Sequence, residues 1–97
     1  MTKQKQAERL YEAVLKLKNV EECRAFFGDL CTIREIQDIS QRLEVASMLQ
    51  AGKNYQTVSN VTGASTATIC RVSKCLNYGS GGYRKAIEKL GKGEETK

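Results

Sequence analysis

Apolar residues along this chain recur at helical rather than strand spacing, and the pattern predicts an all-α fold of about six helices. Leu10, Ala13, Val14 and Leu17, widened by Tyr11 and Leu15, predict a first helix over Gln6 to Lys18. Such a stripe on a terminal helix needs cover, either from the rest of the domain or from a second subunit. Asn19 with Glu22 three residues on has capping-box spacing and opens a second helix carrying Val20, Cys23, Phe26 and Phe27, with Gly28 as its stop. Thr32 and Glu35 form a stronger box. Ile33, Ile36, Ile39, Leu43, Ala46 and Leu49 then carry the longest helix to Ala51, where Gly52 can close it in a left-handed conformation.

The second half is built differently. A short helix over Tyr55 to Val61, a break at Thr62-Gly63-Ala64, and a helix capped by Ser65 or Thr66 and running to Asn77 describe a helix-turn-helix spanning about 55–76. Gly63 supplies the residue able to take positive φ in the turn. Val58, Ser59, Ile69 and Val72 occupy the positions where the two helices meet, so they must be apolar or small. Asn77 to Gly82 reads as a flexible connection, Tyr83 to Leu90 as a last helix ended by Gly91, and residues 92–97 as a frayed polar tail. The whole, 1–97, is expected to be one domain; no strand pattern, internal repeat or proline interrupts it.

Charge sharpens the picture. Up to Ala51 there are 8 basic and 8 acidic residues, whereas from Gly52 onward there are 8 basic and 3 acidic, which accounts for the whole net charge of +5. Between Glu44 and Glu88 there is no carboxylate, while Lys53, Arg71, Lys74, Arg84 and Lys85 fall in that interval. An acid-free basic stretch suits a polyanion, because each neutralised phosphate releases counterions. The start of the second motif helix is polar and compact, as a surface that approaches base edges must be. Thr66, Ala67 and Cys70, with Gln56 on the preceding helix, are the candidate base contacts. Lys53, Ser65, Arg71, Lys74 and Arg84 are the candidate phosphate contacts.

Other chemistry finds little support. The chain has no histidine, so neither a Ser-His nor a Cys-His couple can be assembled within it, and no glycine-rich phosphate loop is present. An enzyme is not expected, nor a metal site. No run approaches the roughly 18 apolar residues that would cross a membrane, and the N-terminal residues do not form a signal peptide, so the chain reads as cytoplasmic. Cys23, Cys31, Cys70 and Cys75 lack metal-ligand spacing. They are expected to be free thiols, mostly small core residues, with a redox role as the functional alternative.

The run Thr62-Gly63-Ala64-Ser65-Thr66-Ala67-Thr68-Ile69-Cys70-Arg71, the run Leu30-Cys31-Thr32 with Arg42 ten residues later, and the ending Cys75 to Tyr83 together resemble the Trp repressor superfamily. Within it they are most similar to the YerC/YecD family. The resemblance covers Leu30 to Leu90. It implies a bacterial transcriptional regulator, a repressor that binds double-stranded DNA as an intertwined homodimer with its two reading heads one helical turn apart. It also implies an effector pocket lined by Cys31, Thr32, Arg42, Thr68, Arg71, Val72 and Cys75, in which two guanidinium planes would sandwich a flat ring. Val72 stands where the family's repressor has a glycine beside the indole, and Cys75 replaces a serine. Tryptophan is therefore not the expected effector, and an unknown small molecule, or none, takes its place. The competing readings are a protein-interaction module on the same fold, and a small-molecule or redox sensor built on Arg42, Arg71, Cys70 and Cys75.

Overall fold

Side chains that satisfy the first backbone N–H groups of each helix set much of the local structure. In the computed structural model, which describes residues 1–95, α1 runs Lys3–Leu15, α2 Val20–Leu30, α3 Ile33–Gln50, α4 Tyr55–Thr62, α5 Thr66–Tyr78 and α6 Gly82–Glu95. Asn19 caps α2 by accepting from the Glu22 N–H at 2.8 Å, while the Glu22 carboxylate reaches back to the Lys18 N–H at 3.0 Å. Thr32 and Glu35 form the full reciprocal box at the start of α3, with bonds of 2.8 and 3.1 Å. The end of α3 is equally explicit. Gly52 has φ 89°. The Lys53 N–H reaches the Met48 carbonyl and the Gly52 N–H the Leu49 carbonyl, the paired bonds of a Schellman motif.

Two expected stops are corrected. α2 continues through Gly28 to Leu30, and α6 continues through Gly91 to Glu95. Neither glycine takes positive φ, and a glycine ends a helix only when it turns left-handed. Helix α1 also begins earlier than its stripe, at Lys3, because Thr2 caps it through the Lys5 N–H. Thr96 and Lys97, the end of the expected polar tail, lie outside the described residues. Among the described residues there is no strand, and no helix is long and apolar enough to cross a membrane.

The chain divides into two compact units, Met1–Ile36 and Gln37–Lys97. In the first unit neither α1 nor α2 has a buried residue. Many of its apolar side chains remain in view: Tyr11, Leu15, Val20, Leu30 and Ile33 are exposed, while Leu17, Phe26, Phe27 and Ile36 are half-buried. The second unit holds the core. Val45 and Ala46 of α3, Val58 of α4, Ala64 of the turn, and Ile69, Val72 and Leu76 of α5 form one buried cluster, with Met48, Leu49, Tyr83 and Ile87 packed around it. Apolar contact between α4 and α5 is thus continuous with contact to α3, which makes the α4–α5 pair a rigid extension of that helix.

Candidate nucleic-acid interface

The turn between α4 and α5 is fixed by backbone conformation and by hydroxyl groups. Gly63 has φ 75° and donates its N–H to the Ser59 carbonyl at 2.9 Å. The Thr62 hydroxyl donates to the Val58 carbonyl at 2.7 Å and accepts from the Ala64 N–H. The Ser59 hydroxyl donates to the Ala64 carbonyl at 3.1 Å, and Gln41 of α3 donates to the Thr62 carbonyl at 3.2 Å. Ser59, expected at the helix contact, therefore serves there through its hydroxyl. Val58, Ile69 and Val72, expected alongside it, are buried at 0%, 1% and 1% exposure.

Helix α5 then sorts its side chains by face. Ile69, Val72 and Leu76 recur at three and four residues and point into the core. Thr66, Cys70, Ser73 and Asn77 share one flank by the same spacing, with Ala67 and Lys74 beside them. Thr68, Arg71 and Cys75 lie on the other flank. Of the expected base contacts, Thr66, Ala67 and Cys70 are exposed on α5, and Gln56 is exposed on α4, where its amide donates to Asn60 at 3.1 Å. Of the expected phosphate contacts, Lys53, Arg71 and Lys74 are exposed cations, and exposed Ser65 is the N-cap of α5, accepting from the Thr68 N–H at 3.2 Å. Arg84 is engaged: its Nε donates to the Leu76 carbonyl at 3.0 Å, tying α6 to the end of α5.

The residues of the expected effector pocket are only partly brought together. Arg42, Thr68 and Arg71 line one groove of about 200 Å³ between α3 and α5. Asp38 and Gln41 complete that groove; their spacing of four and one residues before Arg42 was the available signal. Cys75 instead lines a larger groove of about 540 Å³ with Arg42, Ile39, Leu43 and Tyr83. Val72 lines neither groove and sits in the core. Cys31 and Thr32 belong to the other unit, where Thr32 is the capping residue already described. The cysteines correct an expectation: all four are free, but Cys70 and Cys75 are exposed and Cys23 and Cys31 half-buried, so none is a core residue. At 70 and 75 the reason is register, since each precedes or follows the Ile69–Val72–Leu76 seam by one position.

The model of the Trp repressor protein family matches residues 5–91. The chain belongs to the Trp repressor family. Its relatives include the uncharacterized protein YerC of Bacillus subtilis (strain 168), 52% identical over 86 residues, which cover 89% of this chain and 83% of YerC. Among solved structures, a TrpR-like protein from Eubacterium eligens ATCC 27750 matches with a TM-score of 0.87 and 49% identity, covering 92% of both chains. A Trp repressor candidate from Staphylococcus aureus matches with a TM-score of 0.85 and 45% identity, covering 89% of this chain and 86% of that one. The Trp repressor family is a family of regulators, which agrees with the resemblance read from the turn and from α5. The described residues of this Trp repressor-family chain form six helices and no strand, and they superpose closely on the TrpR-like structure.

Proposed function

We propose that this chain is a sequence-specific DNA-binding transcriptional regulator, a repressor that occludes promoter DNA as a homodimer in the bacterial cytoplasm. The observation that carries this reading is the exposed flank of α5. Thr66, Ala67 and Cys70 offer small groups at its start, cations surround it, and no carboxylate lies between Glu44 and Glu88. The α4–α5 pair acts as a helix-turn-helix head, with Thr66, Ala67, Cys70 and Gln56 meeting base edges. Lys53, Ser65, Arg71, Lys74 and Arg84 position it on phosphates. The second copy covers the apolar stripes of α1 and α2, none of whose residues is fully buried within their own chain.

Tryptophan does not control this regulator. In the family's repressor a glycine makes room for the indole, and the corresponding Val72 is 1% exposed and packed among core side chains. The groove of Asp38, Gln41, Arg42, Thr68 and Arg71 favours one compatible addition, a different planar effector stacked on the guanidinium groups, with Asp38 available to a donor on its rim.

Salt dependence separates this reading from a protein-docking module. Lys53, Arg71, Lys74 and Arg84 on each of two protomers would neutralise about six to eight phosphates, so log affinity against log salt should fall with a slope of about −5 to −7. Fluorescence anisotropy on duplex DNA measures it. A shallow slope of about −1 or flatter would remove the DNA reading and leave docking in its place.

A further inference from the structure

Beside the reading flank of α5 lies a second polar groove, of about 310 Å³, that the base-reading residues do not use. It is enclosed by the α3–α4 turn, the last two turns of α5 and the start of α6. Lys53 and Arg84 supply its charge, and Gln50, Tyr55, Ser73 and Asn77 supply hydrogen-bonding groups; its lining contains no carboxylate. Arg84 is pre-set there, because the bond from its Nε to the Leu76 carbonyl fixes the guanidinium while its two Nη groups remain as donors. The turn is equally fixed, since Gly52 and Lys53 close α3 through backbone bonds of 3.0 Å. Ser73 and Asn77 share their flank of α5 with Thr66 and Cys70, so the groove continues the reading face in the direction of the helix C-terminus.

We propose that Lys53 and Arg84 form a single phosphate seat that takes one backbone phosphate of the DNA flanking the bases met by α5. The seat rests on the DNA-binding reading and extends it: two cations from different elements, distant in sequence but lining one groove, grip the same phosphate instead of making independent surface contacts. Occupancy sets how far α5 enters the groove, because the seat belongs to the same rigid body as the reading residues. The seat therefore carries register, and its chemistry is that of a phosphodiester or phosphate monoanion held by an ammonium and a planar guanidinium.

The test uses the full chain and a duplex carrying its selected site. Wild type, Lys53→Gln, Arg84→Gln and the control Lys85→Gln are compared, Lys85 being an exposed α6 cation outside the groove. Single methylphosphonates are walked along the flanks to neutralise one phosphate at a time. Lys53 makes only backbone bonds in its turn, so its substitution leaves folding intact. Lys53→Gln should lower affinity about eightfold per half-site at ~0.1 M salt, about 60-fold for the dimer, and flatten the salt slope by about 0.9 per protomer. One methylphosphonate position should weaken wild type by the half-site factor and have no further effect on Lys53→Gln or Arg84→Gln. Equal losses in Lys53→Gln and Lys85→Gln, with no flank position coupled to Lys53, would overturn the seat and leave the DNA reading standing. No salt-sensitive duplex binding by wild type would overturn both. Inorganic phosphate that shifts the Lys53 and Arg84 NMR signals, with DNA affinity unchanged in both variants, would make free phosphate the occupant and refute the DNA assignment.

Discussion

Val72 is the residue on which the rigidity of the head can be tested most cleanly, because the chain holds an internal control. Val72 and Val61 are the same residue type on adjacent helices, at 1% and 66% exposure respectively. Replacing Val72 by alanine removes two methyl-sized groups from the core, about 1.6 kcal/mol at ~0.8 kcal/mol each. If the surroundings do not relax, a void of about 50 Å³ adds about 1.2 kcal/mol at ~24 cal/mol per Å³. Alanine returns about 0.5 kcal/mol because it is the better helix former. The expected net destabilisation lies between about 1 and about 2.5 kcal/mol. Val61→Ala should stay within about 0.5 kcal/mol of wild type. Urea unfolding followed by circular dichroism, at one fixed protomer concentration, reads both, since association would make the midpoint depend on concentration. Equal midpoints for the two variants, with unchanged slopes, would refute the placement of Val72 in the core and with it the rigid attachment of α5 to α3.

Three further outcomes follow from the same geometry. Gly63→Ala should destabilise by about 1 kcal/mol. A Cβ at Gly63 meets nothing within 4 Å, so the effect is backbone conformation alone, and denaturation of Gly63→Asn should show a smaller loss. Lys74→Ala should weaken binding to every duplex alike, whereas Thr66→Val should change the ranking among duplexes; equal losses across all sites for both would contradict the division into positioning and reading residues. Calorimetry should detect no tryptophan binding to wild type at micromolar ligand; binding would show that a core valine at 72 still leaves room for the indole.

Much of the fold is legible in the sequence because its signals are local. Thr32 with Glu35, Asn19 with Glu22, and Gly52 each fix a helix end through bonds to neighbours in the chain, and each forms as its spacing predicts. Gly28 and Gly91 mislead for the same reason in reverse: a glycine marks a stop only if its surroundings turn it left-handed, and composition does not carry that. Periodicity finds the apolar stripe of α3 but not which part of it is covered. Ile33 and Ile39 are 78% and 49% exposed, while Val45, outside the expected stripe, is completely buried. Burial of that kind depends on where α4 and α5 pack, a long-range property. The interface divides likewise. The small polar start of α5 is readable residue by residue, whereas the groove joining Asp38 and Gln41 to Arg71, and the one joining Lys53 to Arg84, exist only once distant segments meet.

The most direct test of a dimeric, DNA-reading regulator is selection of bound fragments from sheared genomic DNA by the purified chain at moderate salt, followed by sequencing. Enrichment of a short inverted repeat, with half-sites about one helical turn apart, is the predicted result. Recovery of no sequence above background, while a control repressor enriches its own operator in parallel, would contradict the claim that the exposed flank of α5 reads DNA.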